Sequence, residues 1–219
     1  MITLAPAPSP AVAGGFPAEL ASPLASCTDR SLAAYVQCFA LDLTALKGRD
    51  VLDVAAGPSS FTAEACARRI DAVAVDPLYD ESPAALARRF AGAAGAATQR
   101  FLSDYEAQSP YGRYVCGALP QLPFFDGTFD LVLCTLPLFT ATLGPDPDWQ
   151  VAACRELLRV SVGEARIHPW EGSHLRTSSG VARLRRELRA SGIASAIQTV
   201  DGSASSRGHA MLVLRRGEP

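Results

Sequence analysis

Several things are missing from this sequence, and each absence removes a class of function. No apolar run approaches the roughly 20 residues that a membrane-spanning helix needs, and the opening MITLAPAPSPAVAGG has none of the positive charge that begins a secretory signal. The expectation is a soluble, cytoplasmic protein without a membrane partner. The chain also lacks a basic surplus. Its formal net charge is −2, whereas proteins that grip a phosphate backbone carry a basic excess or stripe, so nucleic acid is not the expected partner. The cysteines at 27, 38, 66, 116, 134 and 154 contain no C-x-x-C pair. Disulfides and a zinc site are both poor readings, no metal is expected, and the thiols are read as buried in a reducing compartment. A length of 219 residues suffices for one compact domain with a substantial core, and not for two full-sized ones.

What is present centres on residues 51–61, VLDVAAGPSSF. A short apolar strand ends at an acidic residue, Asp53, turns through Ala55, Ala56 and Gly57, and opens a helix expected from Pro58 through Arg69. Small residues let the backbone pass close to a ligand, and Gly57 tolerates the positive φ that Cβ-bearing residues resist. About 20 residues on, the strand DAVAV runs into Asp76, the place where a doubly wound sheet presents a carboxylate to ribose hydroxyls. A third signal is the run LPFFDGTFDLVLC, from Leu122 to Cys134, whose strand Phe129–Cys134 has the continuous apolar character of a central parallel strand.

Turn, acid and FDLVLC strand, in that order, resemble the class I S-adenosylmethionine (SAM) dependent methyltransferases, above all the small bacterial type with an LPF..G.FDLV pattern before its fourth strand. The resemblance spans roughly residues 30–170. It implies a single-domain α/β fold: a doubly wound, mostly parallel, seven-stranded sheet, helices on both faces, an antiparallel last strand. It implies SAM as cofactor, with Asp53, Ala55 and Gly57 lining its amino-acid end, Asp76 on the ribose, Leu78 beside adenine, Ala118 and Leu119 on adenine's other side, and Thr135 at the methyl-transfer zone. The sequence departs from the family in two places. Ala55 and Ser59 stand for the first and third glycines of the usual turn, and Ala118 stands where relatives commonly carry an adenine-binding aspartate. Loss of such a charged acceptor is worth about 1.5–3 kcal/mol.

Along the chain, residues 1–16 read as a flexible N-terminal segment, 17–48 as a helical lid or cover, and 49–219 as the Rossmann-like cofactor domain. Thr28-Asp29-Arg30 offers a helix start, followed by Leu32, Tyr35, Val36 and Phe39 at helical spacing. This helix either closes over the substrate or simply covers the sheet; in the first case Tyr35 faces the acceptor. Tyr79 either flanks the ligand or packs on its own loop. Residues 82–108 read as one helical segment interrupted at Gly92 and Gly95, and a third strand is expected at Arg113–Cys116. After the fourth strand, Thr135 to Phe139 (TLPLF) is apolar and unlike the tetrapeptide with which DNA amino-methylases hold a base. Trp149, opening the helix DWQVAACRELLRV, either caps the acceptor pocket or packs against a neighbour. A fifth strand, Gly163–His168, puts His168 at a ligand-side end with Trp170 just beyond. His168 is either a general base, its ordinary pKa being near 6.5, or a strand-end histidine held in place. Residues 178–189 read as an amphipathic helix with a solvated arginine face, and strands near 194–200 and 210–214 close the fold.

The implied function is methyl transfer from SAM to a small-molecule acceptor, a metabolite or natural product, by in-line displacement, with catalysis mainly by positioning. Tyr35, Tyr79, Phe139, Trp149 and Trp170 are the candidate acceptor residues. A SAM-binding enzyme that rearranges or cyclises without methylating, and a degenerate interaction domain, stay open beside it. A nicotinamide oxidoreductase would show fuller glycine spacing. Neither the acceptor atom nor the oligomeric state is legible.

Overall fold

A computed structural model describes residues 30–92, 95–135, 147–170, 179–200 and 209–217. The N-terminal segment 1–16, Thr28 and Asp29, Leu136 to Phe139, His174 and the Gly/Ser-rich turn at 201–208 lie outside the described residues, as do the side chains of Trp170 and His209. Seven strands form one sheet: β1 (Asp50–Val54), β2 (Asp71–Val75), β3 (Tyr114–Val115), β4 (Phe129–Cys134), β5 (Ser161–Trp170), β6 (Ile193–Val200) and β7 (His209–Arg216). Their order is β3-β2-β1-β4-β5-β7-β6. β7 pairs antiparallel with both neighbours, and the pairings from β3 to β5 are parallel. The doubly wound expectation holds, antiparallel last strand included.

Residues of even number on β1 and β4, Leu52, Val54, Val132 and Cys134, join the core under α5 (Pro147–Arg159) and α6 (Ser179–Ala190). Val51, Leu131 and Leu133 pack on the other face, with α1 (Leu32–Phe39) and α2 (Phe61–Cys66). Strand alternation makes this division, and apolar residues on both faces of β1 and β4 are what a sheet covered on both sides requires. Further along that second face, α3 (Pro83–Arg89) and α4 (Ala96–Gln108) bury Leu86, Phe101 and Tyr105 against Ala74 and Tyr114.

Several boundaries differ from expectation, each for a local reason. The helix after the turn begins at Phe61 and not at Pro58, because Ser59 Oγ accepts the Phe61 N–H (3.1 Å) and donates to the Arg30 carbonyl (2.9 Å), holding 58–60 as a loop. It stops short of Arg69, whose φ of 64° reverses the chain. The first helix starts after Ser31, whose hydroxyl caps Ala34 N–H, one residue beyond Arg30. Gly92 and Gly95 separate two helices, α3 and α4. A 3-10 turn at Pro77–Asp80 follows β2, with Asp76 as its cap. β3 is only two residues long, and β5 runs past His168 to Trp170.

Helix α1 is tied down at both ends. Arg30, just before it, bonds the turn after β1, and Arg166 of β5 donates to the carbonyls of Phe39 (2.5 Å) and Ala40 (3.1 Å) at its C-terminus, where a cation complements the helix dipole.

Candidate cofactor site

Ligands of open α/β sheets lie outside the carboxyl ends of the strands, where the strand order reverses. Here that point is between β1 and β4, and the two strand ends are joined directly: Thr135 N–H donates to Val54 O (3.1 Å) and Thr135 Oγ1 to Ala55 O (2.7 Å). The turn leaving β1 is held by side chains from separate parts of the chain. Asp76 accepts the Gly57 N–H at 3.0 Å and the Leu78 N–H at 2.8 Å. Tyr79 donates its hydroxyl to Gly57 O at 2.7 Å. Arg30 donates to Ala56 O at 2.6 Å. The Gly57 peptide is thus bound through both its N–H and its carbonyl, with φ at 56°. Ala55 takes φ 57°, in the left-handed region, despite carrying a Cβ.

Asp53 is fully buried at the end of β1, and the Tyr35 hydroxyl donates to its two oxygens at 3.0 and 3.1 Å. Tyr35 in turn stacks on Phe61 of α2, centroids 4.3 Å apart and planes 13° from parallel. Burial, and after it the Asp53 charge, push the Tyr35 hydroxyl well above the usual tyrosine range, so it stays a neutral donor. Burial, followed by the Asp76 charge, does the same for Tyr79. Asp76 itself is raised above the ordinary 3.8, chiefly because burial disfavours its charge, with the Leu78 and Gly57 N–H groups and Arg30 acting the other way. Each of its oxygens accepts one backbone bond and retains a second lone pair for a ligand hydroxyl.

The structure brings Asp53, Ala55, Gly57, Asp76, Leu78 and Thr135 together around this turn. Ala118 lies beyond β3, its carbonyl accepting Gln121 N–H at 3.1 Å. Leu119 is 5% exposed and belongs to the main core. The preceding Gly117 is a site of close approach, since a Cβ there would stand 2.9 Å from both Pro123 Cδ and Val75 Cγ2. Two aromatic candidates take the second of the readings open to them. Tyr35 has no exposed surface and reaches Asp53, so it faces the sheet and not a ligand opening; Tyr79 is held among Phe101, Tyr105 and Tyr114, with ring centroids 5.3–5.9 Å away. Trp149 is half-buried in the first turn of α5, against the main core. His168, read as a ligand-side base or as a histidine held in place, is 2% exposed and packs edge-on against Phe39 of α1, centroids 5.8 Å apart. Helix α1 lies over this part of β5, with its C-terminal carbonyls bound by Arg166. Phe139 lies outside the described residues.

Sequence reasoning missed Arg30, which read as part of a helix start, and the turn-holding role of Tyr79. The signal available for Arg30 was weak: an arginine beside a capping serine, ahead of an apolar helix. Among the described residues no group of His, Cys, Asp and Glu is arranged to hold a metal ion, and no helix is long and apolar enough to cross a membrane.

Comparison with known proteins meets this geometry. A family model described as a methyltransferase domain matches residues 52–162, from inside β1 to the start of β5. No curated protein matches. Among solved structures, the N-methyltransferase NodS from Bradyrhizobium japonicum WM9 is similar with a TM-score of 0.52 at 13% identity, covering 89% of this chain and 99% of that one. The magnesium protoporphyrin IX methyltransferase of Synechocystis PCC 6803, with bound SAM, gives a TM-score of 0.48 at 16% identity over 80% of this chain and 74% of its own. The 1,6-didemethyltoxoflavin N1-methyltransferase of Burkholderia thailandensis gives 0.48 at 19% identity over 80% and 76%. The family match takes in the stapled turn, Asp76 and the β4 end, and on it this chain belongs to the methyltransferase-domain family, as an enzyme of the class I SAM-dependent kind.

Proposed function

We propose that the protein transfers the methyl group of SAM to a small-molecule acceptor by in-line displacement, and that its own contribution is mainly positioning. The observation that carries this reading is the Gly57 peptide fixed by Asp76 and Tyr79 at the switch between β1 and β4. When bound, SAM supplies an activated methyl on a cationic sulfur. In this reading Asp76 holds the ribose hydroxyls with its remaining lone pairs, and Asp53 sets the negative potential for the ammonium end. Leu78 borders adenine on one side, Ala118 and Leu119 on the other. Thr135 fixes the β4 end against the turn, and Phe139, Trp149 and Trp170 contribute acceptor-pocket wall. Tyr35 and Tyr79 act by keeping Asp53 and Gly57 in place. His168 acts through Phe39, as a support of α1, and no proton acceptor is assigned. Holding two reactants in line accounts for about 7–11 kcal/mol of a barrier in favourable cases.

A small acceptor is favoured by what surrounds the strand ends. β4 ends at Cys134 and α5 begins at Pro147, while β5 ends at Trp170 and α6 begins at Ser179. Neither connection is long enough for an inserted cap domain, and a site without one suits a metabolite or natural-product intermediate.

The test is calorimetric titration with SAM and S-adenosylhomocysteine, with Asp76→Ala in parallel, and then an acceptor screen read by mass spectrometry. Micromolar binding weakened at least about tenfold by the substitution is expected, in line with loss of hydrogen bonds to a charged group. Absence of binding to the folded wild type refutes the reading.

A further inference from the structure

The two edges of the sheet are unlike. β3 presents two residues, Tyr114 and Val115, whereas β6 presents eight, paired with β7 at every position from Ile193 to Val200 without a register shift. Half the N–H and C=O groups of an edge strand point away from its sheet, and natural edges are blunted by short length, proline, bulges or charged side chains. The β6 sequence IASAIQTV has no proline, no glycine and no charge, and its Ala194, Ala196, Gln198 and Thr199 are exposed. Among the described residues no strand pairs with its outer side. A side chain of α6 reaches its main chain: Arg185 Nη2 donates to the Ser195 carbonyl at 3.2 Å.

Helix α6 gives this edge a sign. Leu184 and Leu188 are buried in the main core, and Arg183 pairs with Glu187 (2.7 Å) and with Asp148 of α5 (3.4 Å). Arg185 lies on the side toward β6, and Arg189, one helical turn on, shares that side. Both are exposed, as is Arg186, and among the described residues none of the three forms an ion pair. Like charges set opposite each other across an interface suppress a partner. Pairing β6 with a second copy about a two-fold axis would bring the two α6 helices together on one face of the joined sheet, Arg185 and Arg189 against the same two cations. A strand that carries carboxylates meets attraction there instead.

We infer that β6 is a docking edge for an acidic, extended segment of a partner protein, which adds as an eighth strand. Main-chain bonds along Ile193–Val200 supply the affinity, and Arg185 with Arg189 supplies the preference for carboxylates. Side chains alternate along a strand, so acidic residues at every second position all lie on the α6 side. In the sheet order β4-β5-β7-β6 the docking edge stands well away from β4, and the added segment leaves the β1 and β4 ends uncovered.

The probes are three capped octapeptides: one alternating Glu with Val and Thr, its counterpart with Lys for Glu, and the acidic peptide N-methylated at alternate residues, which removes half its N–H donors. Fluorescence anisotropy at low salt compares wild type with the double variants Arg185→Glu, Arg189→Glu and Arg185→Gln, Arg189→Gln. Wild type is expected to bind the acidic peptide at least about fivefold more tightly than the lysine peptide, and more tightly than the N-methylated one by a similar factor. The glutamate variant should reverse the charge preference and the glutamine variant should level it, with unchanged unfolding midpoints showing that both are folded; should the glutamate variant fail to fold, the glutamine one carries the comparison. Equal binding of the acidic and lysine peptides to wild type overturns the inference, as does absence of acidic-peptide binding at about 1 mM. Dimerisation of wild type in sedimentation that Ala196→Lys abolishes assigns the edge to a second copy and overturns it too.

Discussion

Under α5 and α6 the buried side chains form one continuous apolar cluster, running from Leu52 and Val54 through Val132 and Ile167 to Leu212 and Leu214. Under α1 to α4 the opposite face is divided into smaller clusters, one around Tyr35, Phe39 and Phe61, one around Tyr79, Phe101 and Tyr105, and one of Val200, Met211 and Val213. Polar groups of the strands fall on this divided face: Asp53 reaches Tyr35, Arg166 reaches the end of α1, and His168 meets Phe39. The comparison separates stability from binding. Apolar area on the first face holds the sheet together, at about 25 cal/mol per Å² buried, whereas the second face gives up continuity to put hydrogen-bonding groups at the β1 and β2 ends. Substitutions on the two faces should therefore differ in kind.

The largest effect is expected on the apolar face. Phe129 is fully buried, its ring edge-on to Phe124 with centroids 5.0 Å apart. Phe129→Ala should cost about 3–5 kcal/mol in denaturant unfolding while the folded fraction binds S-adenosylhomocysteine as the wild type does. A loss of affinity without a loss of stability would contradict the division. Tyr35→Phe comes next. The ring and its stacking on Phe61 remain, but the hydroxyl that donates to both Asp53 oxygens goes. Hydrogen bonds to charged groups are worth about 1.5–3 kcal/mol, so stability should fall by about 2 kcal/mol and cofactor affinity with it. Stability within about 0.5 kcal/mol of wild type would show that Asp53 does not depend on this donor.

Asp76 gives a smaller, pH-dependent effect. Burial raises its pKa above 3.8, so between the ordinary value and the raised one the native state binds more protons than the unfolded state. Stability contributed by this group is then highest at low pH, declines as pH rises through that window, and is level above it. Asp76→Asn should remove this slope from unfolding curves taken as pH rises above the ordinary aspartate value of 3.8. The same variant should weaken cofactor binding at neutral pH. An unchanged slope would mean that another buried group sets it.

Much of this arrangement was legible because spacing along a strand translates directly into place. Asp53 stands one residue before the end of β1, Asp76 follows β2, and the FDLVLC run is β4, since apolar runs of strand length bounded by turn residues locate these strands. The rest depended on what packs over those ends. Helical spacing in α1 showed that Leu32, Tyr35 and Phe39 share a face, but not that the face lies on Asp53 and His168, so Tyr35 stayed open between acceptor and sheet and His168 between base and held strand-end residue. Arg30 was illegible for the same reason: its partners are backbone carbonyls 25 and 26 residues away, and backbone acceptors leave no mark in a sequence. The short α2 came from a serine hydroxyl competing for the helix's first N–H groups.

The smallest effect tests whether the turn's substituted glycine is a cost. Ala55 sits at φ 57°, with its N–H on Val75 O at 2.9 Å and its carbonyl on Thr135 Oγ1 at 2.7 Å. The left-handed region costs a Cβ-bearing residue about 1–2 kcal/mol, and the bonds on either side hold the residue there. Glycine would relieve that strain but lose more conformational freedom on folding, by roughly 0.5–1 kcal/mol relative to alanine. The two terms nearly offset, and Ala55→Gly should raise stability by no more than about 1 kcal/mol, read from denaturant midpoints at constant slope. Cofactor affinity should hold or improve slightly, because Asp76, Tyr79 and Arg30 fix the neighbouring peptides and not the Ala55 side chain. A clear loss of stability would mean that the Ala55 methyl contributes packing, in keeping with its place against the main core, and that alanine is preferred there for contact despite its strain.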